Sequence, residues 1–503
     1  MGSNNRFAIT PLREQDYSMW YQAVVKAGDM AETSSVRGCM VIKPWGYGVW
    51  ENIMNQMDSL FKQTGVKNAY FPLFIPLSYM EKEAKHVDGF AKECAVVTHH
   101  KLEQDDRKRL KPAGKLTEPL IVRPTSETII GESMSKWISS YRDLPVLLNQ
   151  WANVVRWEMR TRMFLRTSEF LWQEGHTAHT NAKEAKARTM LMLDVYTKFV
   201  QDYLAIPVIR GQKTIIERFP GAIDTLCVEA MMQDKRALQV GTSHFLGQNF
   251  AKSSDIKFQD KQGTIAHAWT TSWGASTRMI GGIIMVHSDD EGLVLPPRIA
   301  PAQAVILPVF KKNQNTSDII KQALSLKKEL ERQSFHGQKV KIELDDRDTG
   351  GTRGWEWLKK GVPIRIEIGK KEIDKNTVFI ARRDQKPLDK HSINKERFIK
   401  SFSLILDEIQ NNLFKRAVNY KKENSFEIDD KEEFYNLYKK AQGFNNGAFV
   451  MSHWCSSFEC EQKIKQDLSV TIRCIPFDSL EQKGKCIYCN KTSSKRVLFA
   501  KAY

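Results

Sequence analysis

Two neighbouring stretches of this sequence carry residue types that suit anion chemistry. Arg156 and Glu158 stand two positions apart on a predicted strand, and Arg166, Thr167 and Phe170 lie on the predicted return strand. If the two strands pair as an antiparallel hairpin, Arg156 and Glu158 point to one face of it, because side chains alternate along a strand. A guanidinium there could neutralise a phosphate or a carboxylate, and the carboxylate could accept a hydrogen bond or help hold a metal. A cross-strand salt bridge is the alternative interpretation.

A second polar group lies at a predicted junction between a strand and a helix. Ser276, Thr277 and Arg278 follow the strand-like run AHAWTTSWG and precede the glycine pair Gly281-Gly282. An arginine at a helix start is electrostatically unfavourable, because the helix N-terminus is already positive. Its presence there favours a polyphosphate ligand, whereas the alternative is a surface arginine on a core helix whose glycines allow close packing.

Four of the eight cysteines form a third group near the end of the chain. Cys455-x4-Cys460 and Cys486-x2-Cys489 give two thiolate pairs whose spacing suits a closed, tetrahedral, structural zinc site. Four reduced cysteines without a metal are the alternative. The other four cysteines are scattered, which argues against a disulfide framework.

Length, charge and patterning narrow the class of protein. A chain of 503 residues predicts two to four domains, and the net charge of +17 favours a polyanionic partner, although a merely basic protein would also fit. The sequence has no apolar run of about twenty residues and no signal-peptide pattern, so we expect a cytoplasmic protein without membrane association. No phosphate-binding loop of the Gly-x-x-x-x-Gly-Lys-Ser/Thr type occurs.

The elements that must position these residues change in character along the chain. The first part is rich in strand-like runs up to the proline-punctuated stretch PPRIAPAQ, which indicates a domain boundary. Strand-like and helical runs then alternate, as in AVILPVF, SDIIKQALSLKKELERQ and VPIRIEIG, which predicts a compact α/β domain. The remainder is helical before it reaches the cysteines. We therefore predict domains at 1–298, 299–405 and 406–503.

The motifs resemble those of a known enzyme family. Arg156-x-Glu158 on a hairpin and the junction at Arg278 resemble motifs 2 and 3 of class II aminoacyl-tRNA synthetases, and Pro76 fits the motif 1 proline. RPTSE at 123–127, FLWQEGHTAHT, VGTSHFLGQNF and TSWGASTRMIG resemble prolyl-tRNA synthetases of the archaeal- and eukaryotic-like branch over essentially the whole chain. A related synthetase for threonine, serine or glycine is the runner-up. A catalytically silent RNA-binding paralogue is another alternative.

The resemblance implies a multi-domain α/β fold. It implies an α+β catalytic domain with the class II antiparallel sheet flanked by helices, then an α/β anticodon-binding domain, then a small zinc-type α+β domain. It also implies a homodimer that binds L-proline, ATP with Mg²⁺ and tRNA(Pro), with Zn²⁺ as a structural ion. The interval between Arg156 and Arg278 is filled with catalytic-type sequence, so no inserted editing domain is expected.

Residue roles follow from the resemblance alone. It assigns Arg156 to the proline carboxylate and the α-phosphate, and Arg278 to the far phosphates. The implied ATP site comprises Arg156, Glu158, Arg166, Thr167, Phe170, Gln239, Thr242, Ser276, Thr277 and Arg278, with Mg²⁺ near Gln239. The implied proline site comprises Thr125, Glu127, Arg156, Trp172, Glu174, His176 and His244, although the two histidines could be ordinary core residues. The candidate anticodon contacts are Arg347, Glu356, Lys359 and Arg365.

Overall fold

The structure is a computed structural model that describes residues 9–84, 93–310, 316–347, 351–387, 389–440 and 443–503. In these residues the α-helices are α1 (Tyr17–Ala27), α2 (Pro44–Gln63), α3 (Leu77–Ala84), α4 (Glu127–Trp137), α5 (Ala182–Asp202), α6 (Asn249–Ser253), α7 (Arg278–His287), α8 (Thr316–Glu331), α9 (Thr352–Lys359), α10 (Lys370–Asp374), α11 (Lys395–Glu423), α12 (Lys431–Lys439) and α13 (Phe458–Leu468). None of these helices combines the length and the apolar character needed to cross a membrane.

The strands of the same residues fall into one large sheet and several small ones. They are β1 (Ala31–Thr33), β2 (Met40–Ile42), β3 (Lys67–Asn68), β4 (Phe74–Pro76), β5 (Val96–Gln104), β6 (Leu110–Val122), β7 (Val146–Val155), β8 (Glu169–His179), β9 (Val208–Gln212), β10 (Asp224–Met231), β11 (Ala237–Gly247), β12 (Lys257–Gln259), β13 (Ile265–His267), β14 (Trp269–Ser276), β15 (Ala304–Pro308), β16 (Ser334–Phe335), β17 (Gln338–Lys339), β18 (Ile342–Leu344), β19 (Ile364–Ile368), β20 (Thr377–Arg382), β21 (Lys390–Asn394), β22 (Ser425–Glu427), β23 (Phe449–His453), β24 (Thr471–Pro476), β25 (Gly484–Lys485), β26 (Thr492–Ser493) and β27 (Arg496–Ala500).

The large sheet carries the predicted antiparallel core. Its strand order is β22-β23-β27-β24-β9-β10-β11-β14-β8-β7-β3, and the six strands from β9 to β7 are antiparallel neighbours throughout. Helix α5 packs across β10, β11 and β14, and α7 packs against β11 and β14. The expected class II sheet flanked by helices is therefore confirmed.

Close packing at the centre of this sheet requires a glycine in β8. Gly175 pairs with Trp273 of β14, and a Cβ at Gly175 would overlap the Trp273 indole. Trp273 is 1% exposed and packs against Phe61 of α2. Only glycine leaves room for the indole at this position, and the indole in turn joins β14 to α2 through Phe61.

The predicted hairpin is present, but one detail of it is wrong. Strands β7 and β8 pair over their full length, from Val146 with Ala178 to Val155 with Glu169. However, β7 ends before Arg156, so Arg156 and Glu158 lie in the connecting segment and do not share a strand face. The two side chains line two different cavities, which strand alternation does not anticipate.

The middle of the chain forms the predicted α/β unit. Its sheet has the order β18-β15-β19-β20-β21, in which β15 is parallel to both neighbours and fully buried. Buried residues of α8 and α11 complete its core. Helix α11 runs from Lys395 to Glu423 without a break, so it passes through the expected boundary at residue 405.

The C-terminal strands extend the large sheet. Strand β24 pairs with β9 through Ile475 with Gln212 and Pro476 with Gly211, and β27 pairs with both β23 and β24. The chain end also returns to the large sheet, because Tyr503 donates its backbone N–H to Ala237 O at 3.1 Å. The C-terminal unit is thus continuous with the sheet that carries the predicted site.

Candidate active site

A cavity of about 280 Å³ lies over the large sheet, and we call it the main cavity. It collects most of the predicted site residues from segments that are far apart in sequence. The predicted residues that line it are Thr125, Glu127, Arg156, Phe170, Trp172, Glu174, His176, Gln239, Thr242, His244, Ser276 and Arg278.

One end of the main cavity is built from two carboxylates around a histidine. The imidazole Nδ1 of His176 lies 3.2 Å from Glu127 Oε2, and its Nε2 lies 3.1 Å from Glu174 Oε2. Glu174 also accepts hydrogen bonds from the Thr125 hydroxyl at 2.9 Å and from the Ser126 N–H at 3.0 Å. These contacts fix the carboxylates before any ligand arrives.

The charges at this end follow from the contacts. Burial alone would lower the pKa of His176, but the carboxylates of Glu127 and Glu174 raise that pKa to about 10. Burial would raise the pKa of Glu174, whereas hydrogen bonds from His176 and Ser126 lower it to about 2. A protonated His176 between two carboxylates leaves a net negative charge, which suits a small ammonium group.

The opposite wall at this end is neutral. Burial, followed by the positive charge of His176, lowers the pKa of His244 to about 3, so its imidazole is uncharged. Its Nδ1 lies 3.0 Å from the Thr225 hydroxyl, and its ring centroid lies 4.7 Å from that of Phe219. This wall offers an aromatic surface to an apolar part of a ligand.

The other end of the main cavity carries two arginines. Arg156 donates from Nε to Pro124 O at 3.1 Å, and its guanidinium carbon lies 5.2 Å from the Trp172 ring. Arg278 is the first residue of α7 and donates from Nε to Leu165 O at 3.1 Å. Burial and then the nearby cations, Arg156 first, lower the pKa of Arg278. Two guanidiniums held near each other and near a helix N-terminus form a site for a polyanion.

Four predicted ATP residues lie outside the main cavity. Glu158 and Arg166 form a 2.7 Å ion pair and line a neighbouring cavity of about 610 Å³, which we call the arginine cavity. Thr167 donates its hydroxyl to Glu169 O at 2.7 Å, and Thr277 has a buried hydroxyl with no hydrogen-bond partner among the described residues. A salt bridge, which was the alternative interpretation of Arg156 and Glu158, is therefore present. It joins Glu158 to Arg166.

The arginine cavity opens beside the main cavity. Arg278 lines both, so the two cavities meet at the start of α7. Tyr503 also lines the arginine cavity, where the guanidinium carbon of Arg236 lies 4.1 Å from its ring centroid, and its hydroxyl donates to Asp234 at 2.6 Å. The remaining lining residues are Arg160, Thr161, Arg162 and Leu165.

Several cavity residues were not predicted from the sequence. Ser272, Trp273, Gly274 and Ala275 lie on β14 directly before the predicted Ser276, so the strand motif itself contained that signal. Thr225 is a further missed residue, as are the consecutive residues 217–219. The segment 217–219 carries no motif, and only its packing in the fold brings it to the cavity.

The four predicted cysteine ligands converge. One sulfur from each of Cys455, Cys460, Cys486 and Cys489 lies within 4.8 Å of the others, and the Sγ of Cys455 is 3.6 Å from that of Cys460 and from that of Cys489. Tetrahedral zinc with sulfur ligands at about 2.3 Å separates the sulfurs by about 3.8 Å. The geometry of this group, the cysteine cluster, therefore fits a zinc ion.

The candidate anticodon residues differ in accessibility. Arg347 lies at the surface and pairs with Asp345 and Glu356, both at 2.7 Å. Arg365 is 7% exposed and donates to the backbone carbonyls of Gly354 and Pro387, at 2.9 and 3.1 Å. Through these contacts Arg365 joins two segments of its domain, and most of its side chain is covered. Lys359 is partly exposed at the end of α9.

The combined geometry suits activation of an amino acid. An anionic end can hold an ammonium group, and the adjacent arginines can hold a carboxylate against a polyphosphate. No covalent nucleophile is needed for such a reaction.

Three family models match the chain. "tRNA synthetase class II core domain (G, H, P, S and T)" matches residues 111–287, "Anticodon binding domain" matches 303–403, and "Prolyl-tRNA synthetase, C-terminal" matches 439–503.

Curated relatives and solved structures agree with these matches. The chain is 55% identical to "Proline--tRNA ligase 2" of Anaeromyxobacter dehalogenans, over 99% of this chain and 98% of that protein. It is 53% identical to "Proline--tRNA ligase" of Bdellovibrio bacteriovorus, over 99% of each. A prolyl-tRNA synthetase from Cryptosporidium parvum, solved with L-proline and AMP, superposes with a TM-score of 0.88 at 35% identity and covers 100% of this chain and 99% of its own. This chain therefore belongs to the prolyl-tRNA synthetase family of class II aminoacyl-tRNA synthetases.

Proposed function

We propose that the main cavity is where this chain, as a proline–tRNA ligase, activates L-proline with ATP before transferring it to tRNA(Pro). The observation that carries this assignment is the charge arrangement of the main cavity. Its anionic end, with Glu127, His176 and Glu174, lies next to two arginines, Arg156 and Arg278. Proline presents a secondary ammonium and a carboxylate on a short apolar ring, which matches that arrangement.

The proposed orientation of proline uses both ends of the cavity. Glu127 and Thr125 accept hydrogen bonds from the ammonium. Glu174 holds the Thr125 hydroxyl in place, because it accepts a 2.9 Å hydrogen bond from that hydroxyl. The pyrrolidine ring packs between Trp172 and the uncharged His244. The indole N–H of Trp172 has no hydrogen-bond partner among the described residues, so it is available to a ligand.

The first chemical step follows from this orientation. A carboxylate oxygen of proline attacks the α-phosphorus of ATP, the bond from that phosphorus to the bridging oxygen breaks, and pyrophosphate leaves. Arg156 neutralises the carboxylate and the α-phosphate, which otherwise repel each other. Arg278 holds the far phosphates. In the second step the terminal hydroxyl of tRNA(Pro) attacks the carbonyl carbon, and AMP leaves.

The remaining ATP contacts are proposals of the same kind. ATP would bind as its Mg²⁺ complex, with Gln239 near the metal and the adenine ring against Phe170. The other side chains proposed for ATP are Glu158, Arg166, Thr167, Thr242, Ser276 and Thr277. Glu158 and Arg166 are paired with each other, so ATP binding at that position requires the 2.7 Å ion pair to rearrange.

Different parts of the chain are proposed to have different roles. We propose a catalytic domain at 1–298, an anticodon-binding domain at 299–405 and a zinc-binding domain at 406–503, although α11 and the β9–β24 pairing link all three closely. The candidate anticodon contacts Arg347, Glu356, Lys359 and Arg365 are likewise proposed. The cysteine cluster would hold Zn²⁺ as a structural ion, which adds stability and no reaction step.

Further properties are proposed from the family. We propose a homodimer in the cytoplasm that lacks editing in cis. All residues between Arg156 and Arg278 are described, and they form β8, α5, β9–β11, α6 and β12–β14. These elements belong to the sheet or pack on it, which leaves no separate domain in that interval.

Amino-acid-dependent exchange of pyrophosphate into ATP tests the proposed function. The purified chain should catalyse exchange with proline, and threonine, serine and glycine should not replace proline. Charging of tRNA(Pro) tests the second step. Exchange supported better by threonine, serine or glycine would assign a different synthetase, and absence of exchange with any amino acid would indicate a silent RNA-binding paralogue.

A further inference from the structure

The connection between β9 and β10 forms one wall of the main cavity and contacts the C-terminal unit. Glu217, Arg218 and Phe219 line the main cavity and belong to the connection between β9 and β10. This connection has no helix or strand of its own in its described residues 213–223. Its conformation must therefore be fixed by contacts with its neighbours.

Helix α13 of the C-terminal unit supplies two of those contacts. The Thr214 hydroxyl donates to Glu461 Oε1 at 2.8 Å, and both side chains are buried, at 2% and 3% exposure. One turn further along α13, Lys465 Nζ lies 3.2 Å from Glu217 Oε1. The first contact is shielded from water and therefore contributes more than the second.

A buried ionic group anchors the start of the same segment. Lys213 donates from Nζ to Glu229 Oε1 at 2.8 Å and to Arg473 O at 2.7 Å. Arg473 in turn donates to both oxygens of Glu229, at 3.2 and 3.0 Å. Lys213 is thus fixed to β10 and β24 together, and Thr214 follows directly after this anchor.

The other end of the segment contacts the proposed proline site. The Phe219 N–H donates to the Thr225 hydroxyl at 3.0 Å, and the Phe219 ring lies against His244. A shift of the segment would therefore move the wall that faces the pyrrolidine ring. It would leave Arg156, Arg278 and Phe170 in place, since these side chains come from other elements.

Glu461 is the direct neighbour of a member of the cysteine cluster. Cys460 precedes Glu461 in the first turn of α13, and the sulfurs of Cys455, Cys486 and Cys489 surround that of Cys460. Since a metal ion would tie α13 to the two loops that carry the other cysteines, it would also fix the direction of the Glu461 side chain.

We propose that Glu461 is a positioning residue for proline binding, which acts through Thr214 to hold residues 214–219 as the wall of the main cavity. The proposal rests on the proposed function and adds a link from the cysteine cluster to proline affinity. The role is indirect, because Glu461 lines neither cavity among the described contacts. Its consequence is selective: proline binding should weaken, whereas ATP binding should not.

Steady-state kinetics of exchange test the proposal with matched variants. Glu461→Ala and Thr214→Val each remove the buried hydrogen bond and should raise the KM for proline about tenfold, with the KM for ATP unchanged. Glu461→Gln keeps the acceptor oxygen, and Thr214→Ser keeps the donor, so both should stay near the parent value. Glu459→Ala changes an exposed carboxylate on the same helix and serves as the control.

Hydrogen exchange supplies a readout that does not depend on activity. Amides of residues 214–219 should exchange faster in Glu461→Ala and after removal of zinc by a chelator, whereas amides of β11 should not. The double variant Thr214→Val/Glu461→Ala should have no larger effect on the KM for proline than either single variant, because both remove the same bond.

The opposite results would overturn the proposal. An unchanged KM for proline in folded Thr214→Val, or equal increases in both KM values, would show that the bond only stabilises the fold. If Glu461→Ala does not fold, the Thr214→Val and Thr214→Ser pair decides alone. A parent chain without proline-dependent exchange would refute the proposed function, and hydrogen exchange at 214–219 would then still measure the link to α13.

Discussion

The imidazole Nδ1 of His176 lies 3.2 Å from a carboxylate oxygen of Glu127, at the anionic end of the main cavity. Both side chains are buried, and Glu174 contacts the other ring nitrogen. This contact determines the charge that an incoming amino acid meets.

The charge on His176 gives the first prediction. Its folded-state pKa of about 10 lies above the unfolded value of about 6.5. Protonation of His176 therefore stabilises the folded state fully below about pH 6.5, and this stabilisation is lost as the pH rises to about 10. The thermal midpoint of the parent should therefore exceed that of His176→Gln most at pH 6.5, and the gap should shrink up to pH 10. A gap that does not depend on pH would show that His176 is neutral.

The carboxylate of Glu127 should contribute to proline affinity. Glu127→Gln removes the negative charge but keeps the size of the side chain. The KM for proline should therefore rise about 10- to 100-fold, which corresponds to the free energy of one hydrogen bond to a charged group. The KM for ATP should change little. Glu132→Gln is a matched control, because Glu132 also lies on α4 but pairs with Lys136 at the surface. An equal effect of both substitutions would contradict the assignment.

Arg278 should contribute mainly to kcat. Arg278→Gln removes a charge that faces the proposed phosphate position and should lower the kcat of exchange about 10²- to 10³-fold. Arg278→Lys keeps the charge but loses the Nε bond to Leu165 O, so its effect should be intermediate. Arg142→Gln, at an exposed position, should have no effect. Parent-like kcat in Arg278→Gln would place the phosphates elsewhere.

The cysteine cluster should bind about one zinc ion per chain. Elemental analysis of Cys455→Ser or Cys489→Ser should find little zinc, and their thermal midpoints should fall, because the metal ties two loops to α13. Cys39→Ser lies outside the cluster and should retain the metal. A parent chain purified under reducing conditions with added zinc that still binds none would show that the four thiols are metal-free.

Alanine should be activated slowly and not removed. A cavity that fits proline rejects a smaller side chain by only about 1–3 kcal/mol for each missing methylene. Alanine-dependent exchange should therefore be measurable at high alanine concentration. Preformed alanyl-tRNA(Pro) should lose its alanine no faster with the protein than in buffer, and enzyme-dependent deacylation would reveal an editing site.

The sequence predicts the catalytic motifs well because their spacing follows local structure. The runs before and after Thr161 alternate in a way that specifies a hairpin, and the junction at Arg278 combines a strand pattern with a helix start. Twelve residues that the family resemblance assigns to the ATP and proline sites line one cavity. The middle domain was equally predictable, since β15 is a short, uninterrupted apolar run and α8 has its buried residues at helical spacing.

Features that depend on distant contacts could not be predicted in this way. The cavity wall at Phe219 lies in a segment without a regular period, and the burial of Arg365 depends on carbonyls supplied by two other segments. Arg156 and Glu158 line different cavities because both lie beyond the end of β7, where strand alternation no longer sets the side-chain directions. No local pattern signals these features, because each is decided by tertiary packing.

The pairing of β24 with β9 has a consequence for synthesis of the chain on the ribosome. Lys213 and Arg473, which meet at this junction, are 260 positions apart in sequence. Chains emerge from the N-terminus, so the catalytic motifs are exposed long before the strand that completes their sheet is made. A nascent chain can therefore form the hairpin and α7 early, but it remains without a fixed cavity wall until its last hundred residues have emerged. Incomplete products of translation should accordingly be unable to consume proline and ATP.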